Sequence, residues 1–168
     1  MPKISAGLLW YRFQNTLPEI FLVHPGGPFW QKKDTGAWSI PKGELDKDEA
    51  ALDAAKREMK EETGIDPEKP GLRTSAFFEL APVQQKSGKV ILAWAAQGDF
   101  DASEIDCNTF EIEWPPKSGN KKAFPEIDKA GWFTLDEAKN KINPGQVPFI
   151  EQLEQFFQSS NKIDHSTT

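Results

Sequence analysis

The segment from Asp48 to Thr63 restricts the fold more than any other stretch of this chain. It holds no glycine or proline, is rich in alanine, glutamate and lysine, and ends at Gly64, so it predicts a helix with Asp46 or Asp48 as its cap and Gly64 as its stop. At 100° per residue, Ala51, Leu52, Ala55 and Met59 share one arc, while Asp53, Lys56 and Lys60 fall on the opposite side. Glu58, Glu61 and Glu62 stand at i, i+3 and i+4 and line one stripe next to the apolar arc. Such a helix must lie on a core with its acidic edge at the rim.

The flanking text supplies that core. Ser5 to Phe13 and Glu19 to His24 are β-rich runs separated by a polar turn that ends in Leu17-Pro18, and Trp38 to Pro41 is a short strand broken by its proline. Thr74 to Leu80 and Lys89 to Phe100 predict longer strands across a Ser87-Gly88 turn, and Thr109 to Trp114 alternates like another. Gly131-Trp132-Phe133 then leads into Thr134-Leu135-Asp136-Glu137, a capping-box pattern that starts a short helix. Asn143-Pro144-Gly145 ends it, and Gln146 to Gln158 carries Val147, Ile150, Leu153 and Phe157 at helical spacing. The pattern is a sheet flanked by helices. With 168 residues and no repeat or linker, a single domain over 1–158 is expected, followed by a loose tail over 159–168.

Composition removes several function classes. Cys107 is the only cysteine, which excludes an internal disulfide and any Cys-x-x-Cys site, and His24 and His165 are too few for a histidine-rich zinc centre. The net charge of −6 argues against sequence-independent binding of duplex nucleic acid. No apolar run approaches the roughly 20 residues of a membrane span, and the N-terminus lacks the pattern of a secretory signal, so a cytoplasmic location is expected. An acidic chain that handles phosphates needs a cation. Clustered carboxylates beside a core also need one, and oxygen-only ligands suit hard cations such as Mg²⁺ or Mn²⁺. Arg57, one of three arginines, neighbours Glu58 and has the planar fork to orient a ligating carboxylate.

Gly43, then Glu49, then Arg57-Glu58-Met59-x-Glu61-Glu62-x-Gly64-Ile65 is similar, in every defined position and spacing, to the signature of the Nudix hydrolases. The resemblance implies an α/β/α sandwich with a mixed sheet between helices, and hydrolysis of a nucleoside diphosphate linked to another group. It implies divalent metals held by Glu58, Glu61, Glu62 and the Gly43 carbonyl, with Glu49 joining directly or through water. Metals that bridge pyrophosphate oxygens offset charge, orient phosphorus and acidify the attacking water, so no covalent nucleophile is required. A further carboxylate in this family comes from a loop before the Trp-Phe strand; Glu126 is the candidate, with Glu111 and Glu113 behind it.

Trp38-Ser39-Ile40-Pro41-Lys42-Gly43 resembles the lead-in of Nudix enzymes that act on dinucleoside polyphosphates and inositol pyrophosphates, which makes Lys42 a phosphate-contact candidate. Lys32, Lys33 and Lys117 to Lys122 add charge for a long polyphosphate, and Phe29, Trp30, Trp38, Phe110 or Trp114 offer a base-stacking face. The tyrosine that dinucleoside polyphosphate enzymes of the family tend to place after the signature is missing, since Tyr11 stands before it. The expected activity is metal-dependent cleavage of a dinucleoside polyphosphate or a nucleoside triphosphate by a monomer or homodimer. The alternatives are a catalytically silent nucleotide sensor, or a hydrolase of inositol pyrophosphates or capped RNA. His24 reads as structural or as a loop hydrogen-bonder, Cys107 as a plain thiol, and the Gly26-Gly27 pair as a turn.

Overall fold

A computed structural model describes residues 3–166, with side chains for residues 3–160. Strand β1 (Ile4–Gln14) is the centre of the molecule. Its run Ala6-Gly7-Leu8-Leu9-Trp10-Tyr11 is buried on both faces, which explains why it reads as continuously apolar rather than alternating. Alternate residues serve two cores. Ala6, Leu8 and Trp10 join one cluster with Phe21 and Val23, and Leu9 and Tyr11 join another with Ile20 and Leu22.

Strand β2 (Leu17–Pro25) pairs antiparallel with β1 after a tight turn at Asn15 and Thr16, both with positive φ, the hand that suits a two-residue hairpin. Strand β3 (Lys42–Glu44) pairs antiparallel with the start of β1, through Gly7 opposite Lys42 and Ala6 opposite Gly43. Gly7 permits this approach, because a Cβ there would lie 2.7 Å from the Pro41 carbonyl oxygen and 2.8 Å from the Lys42 Cβ. Strands β4 (Phe78–Glu79), β5 (Val83–Gln84) and β6 (Val90–Gln97) follow the helix; β6 runs parallel to β1 from Ile4 opposite Val90 to Tyr11 opposite Gln97. Strands β7 (Thr109–Glu113) and β8 (Lys121–Pro125) form a separate two-stranded ribbon. Strand β9 (Ile127–Thr134) then closes the main sheet beside β2, giving seven strands with the path β4-β6-β1-β2-β9, β3 on β1 and β5 on β6.

Helices cover both faces of this mixed sheet. Helix α1 (Ala51–Thr63) lays Ala54, Ala55 and Met59 on the Trp10-Phe21 face. Helix α2 (Leu135–Lys141) contributes Ala138, and α3 (Val147–Ser166) contributes Phe149, Ile150 and Leu153, to the Leu9-Ile20 face. The α/β/α sandwich expected from sequence is therefore present. The segment expected as a tail over 159–168 continues the backbone of α3 as far as Ser166; its last two residues lie outside the described residues.

Several local expectations change. Helix α1 starts at Ala51 after Ala50, with no side-chain cap, because Asp46 and Glu49 already form a turn of their own and the Asp46 carboxylate faces Arg57 at 3.6 Å. Gly64 does stop it in the left-handed conformation, φ 75°. The Thr134-Glu137 capping box is formed in full. Residues 38–41 make isolated bridges to Val23 and Ile142 rather than a strand, and the long strand expected over 74–80 shrinks to β4. Among the described residues, no helix is long and apolar enough to cross a membrane.

Candidate active site

The site is built where β3 passes beneath α1. Gly43 sits in β3 directly below Glu58, and a Cβ at that position would overlap the Glu58 carboxyl group. Glycine here is thus demanded by the close approach of backbone and carboxylate. One residue earlier, the Lys42 amide N–H donates to Glu62 Oε2 at 3.0 Å. The short strand therefore holds two of the three glutamates of the stripe in place.

Arg57 organises the outer end of the stripe. Its Nε and Nη2 donate to the two carboxylate oxygens of Glu49, at 2.9 and 3.0 Å. Its Nη1 donates to Glu58 Oε1 at 3.0 Å and Glu61 Oε2 at 2.9 Å, and Nη2 also reaches the Glu44 carbonyl at 3.1 Å. This is the orienting role expected from the planar fork. The guanidinium's hydrogen bonds hold the Glu49 carboxyl below its ordinary range, and the same contacts raise Arg57 itself, Glu49 contributing most.

The inner end behaves differently. Burial pushes Glu62 up to about 8, against the opposing hydrogen bond from the Lys42 amide and the pull of the Lys42 charge, with Glu58 and Glu126 adding repulsion. Burial also raises Glu58, although Arg57 opposes it. Lys42 is lowered chiefly by burial and then by Lys89. A cluster of desolvated carboxylates held close by backbone is short of positive charge.

Glu126, at the junction of β8 and β9, adds its charge to both Glu58 and Glu62. Glu111 and Glu113 are exposed on β7 and are not among the charges that perturb Glu58 or Glu62. A cavity of about 290 Å³ opens beside these groups, with Lys42, Glu62 and Glu126 in its lining together with Trp30, Trp38, Gln85 and Asn143. Trp114 does not line it, being packed edge-on against Phe29 with ring centres 5.6 Å apart. Trp30 takes the place on the wall that sequence spacing offered equally to several aromatics. A larger apolar cleft of about 520 Å³, lined by Tyr11, Phe13, Phe156 and Phe157, involves none of the carboxylates of the stripe.

The donor set fits a hard divalent cation: acceptor-only carboxylates, two of them destabilised as anions by burial, beside a glycine peptide with no side chain to block approach. Among the described residues, however, no three acidic, histidine or cysteine side chains converge as a preformed metal-holding group. Gly43, Glu49, Glu58, Glu61 and Glu62 form a row rather than a cage, because Arg57 draws Glu49, Glu58 and Glu61 toward itself while Glu62 turns to the Lys42 amide.

Comparison with known proteins agrees with this geometry. The NUDIX domain family matches residues 1–153. An RNA pyrophosphohydrolase of Bartonella clarridgeiae is 30% identical over 134 residues, covering 74% of this chain and 72% of the relative. The crystal structure of a C. elegans Ap4A hydrolase binary complex superimposes with a TM-score of 0.60 at 22% identity, over 92% of this chain and 98% of that one. The NUDIX domain of Shewanella oneidensis NrtR, solved with ADP ribose, gives 0.63 at 17% identity, over 94% and 89%. The Nudix family generally uses divalent metal ions. By its signature, its sandwich fold and these relatives, the chain belongs to the Nudix hydrolase family.

Proposed function

We propose that this chain hydrolyses a pyrophosphate bond in a dinucleoside polyphosphate or a nucleoside triphosphate, with Mg²⁺ or Mn²⁺ as its metal. The observation that carries the reading is the cavity whose lining combines Lys42, Glu62 and Glu126 with Trp30 and Trp38. An anionic chain of phosphates would sit at the charged groups when a cation is present, and a nucleobase would stack on the exposed Trp30 indole. Glu58, Glu61, Glu62 and the Gly43 carbonyl would hold the metal, with Glu49 behind them. The metal would supply charge neutralisation of the phosphates and a more acidic bound water.

The protein's own groups have distinct tasks. Arg57 fixes the rotamers of Glu49, Glu58 and Glu61, so the row is set before substrate arrives. Lys42, partly buried beside Glu62, offers an ammonium to a phosphate oxygen. Glu126 lines the same cavity and would accept a proton from water. A monomer or homodimer acting in the cytoplasm is consistent with this assignment.

The test is product release from dinucleoside polyphosphates, nucleoside triphosphates, nucleotide sugars and inositol pyrophosphates with each metal, with Glu61→Gln as the blank. Selective turnover of one of the first two classes, nearly abolished in Glu61→Gln, is expected. Near wild-type turnover in that variant would refute the metal assignment. The Bartonella relative's name favours one second reading, a phosphorylated RNA 5′ end, so such an RNA belongs in the same panel.

A further inference from the structure

His24 is fully buried near the end of β2. Its Nδ1 lies 2.6 Å from Asp128 Oδ1 and its Nε2 lies 2.6 Å from the Lys33 carbonyl oxygen. Both ring nitrogens are thus engaged, one by a side chain of β9 and the other by the backbone of the loop after β2. The ring also meets Trp38 edge-on at 5.1 Å.

The two contacts join two separate parts of the cavity. Strand β9 carries a bulge: His24 pairs with Lys129 and Pro25 with Ile127, which leaves Asp128 as the extra residue. A bulge re-aims a side chain, and here it turns the Asp128 carboxylate onto the histidine. Glu126 stands two residues before Asp128, its carbonyl accepting from the Gly26 amide at 2.9 Å. On the other side, Lys33 closes the loop that carries Trp30, with its ammonium 5.0 Å from the Trp30 ring. Further along that loop, Asp34 accepts from the Trp38 indole at 2.7 Å and pairs with Lys141 at 2.9 Å. The charged groups around the histidine are therefore Asp128 and Lys129 on β9, Lys33 and Asp34 on the loop, and Lys141 on α2.

We propose that His24 is a positioning residue that clamps the Trp30 loop to the Asp128 bulge and so fixes two residues of the nucleotide cavity's lining, Trp30 and Glu126, relative to each other. The role rests on the functional reading above only for what the cavity binds. The clamp itself is a property of the fold, and it can be read without any substrate.

The experiment uses the full chain. Asp128→Ala removes one acceptor and Asp128→Asn keeps an acceptor oxygen. Trypsin should cut after Lys32 or Lys33 several-fold faster in Asp128→Ala than in the parent, and Asp128→Asn should restore most of the protection; equal cutting in all three would overturn the clamp. With a nucleotide that the panel shows to be cleaved, Asp128→Ala should raise KM several-fold. A fall in kcat with KM unchanged would instead mark a merely structural residue and overturn the positioning role. If the panel shows no turnover, the functional reading fails, while the proteolysis still decides the clamp.

Discussion

The two ends of the carboxylate row beside α1 carry the same residue type and opposite electrostatics. At the outer end, Glu49 meets a guanidinium that takes both of its oxygens, and its carboxyl is held in the charged form. At the inner end, Glu62 has one backbone N–H and a weakened lysine, and burial keeps it protonated up to about 8. Glu58 stands between them, tied to Arg57 and yet raised by burial. The difference separates a half of the row that a guanidinium holds charged from a half that burial holds protonated.

The largest effect should come from breaking the bridge between the halves. Glu58→Gln preserves volume and removes the one carboxylate shared by both ends, and turnover on the best substrate should fall to near the blank; turnover within a few-fold of wild type would show that the stripe does not act as a unit. Arg57→Ala frees the outer end while leaving the inner end alone. A loss of roughly 10–100-fold in metal affinity or activity is expected, as for other residues that orient ligands. Retained metal affinity would mean that Glu49, Glu58 and Glu61 need no fixing.

The inner end makes a prediction about pH. Glu62 keeps its proton in the folded chain up to about 8 but releases it near 4.5 once unfolded, so between those values the folded state binds more protons. Its contribution to metal-free stability is full below about pH 4.5 and is lost as pH rises toward 8. Thermal melts of the metal-free protein should therefore drop in Tm between pH 5 and 8, and Glu62→Gln should flatten that drop. An unchanged slope in the variant would place the burden elsewhere. The smallest effect is a control away from both ends: Thr134→Ala removes the α2 cap, costing about 1 kcal/mol, with activity unchanged below the melting range.

Sequence alone made α1 and its stripe legible because helix periodicity is local and the acidic spacing is carried within a few turns. The α2 capping box and the Gly64 stop were legible for the same reason. The start of α1 was not, since whether Asp46 caps the helix or faces Arg57 depends on where the guanidinium lies. Strand β8, Lys121–Pro125, went unseen because its lysines and terminal proline give no apolar alternation; it forms by pairing with β7, from Thr109 opposite Pro125 to Glu113 opposite Lys121. Trp30, Trp38 and Trp114 looked equivalent as stacking faces, and only tertiary placement puts the first two on the cavity and the third on Phe29. His24 was legible as a loop hydrogen-bonder but not as a two-sided one, because its Asp128 partner arrives through a bulge 104 residues away.

The most direct test of the account is calorimetric titration of Mn²⁺ into the metal-free protein and into Glu62→Gln near neutral pH, repeated in two buffers of different ionisation heat. A cation that binds the inner end must displace the Glu62 proton, because metal ligation needs the carboxylate. The wild-type protein should release protons on binding, seen as a heat that depends on the buffer, and Glu62→Gln should bind more weakly with that dependence reduced. Equal affinity and equal proton release in the two proteins would contradict the claim that the inner half of the row awaits a cation.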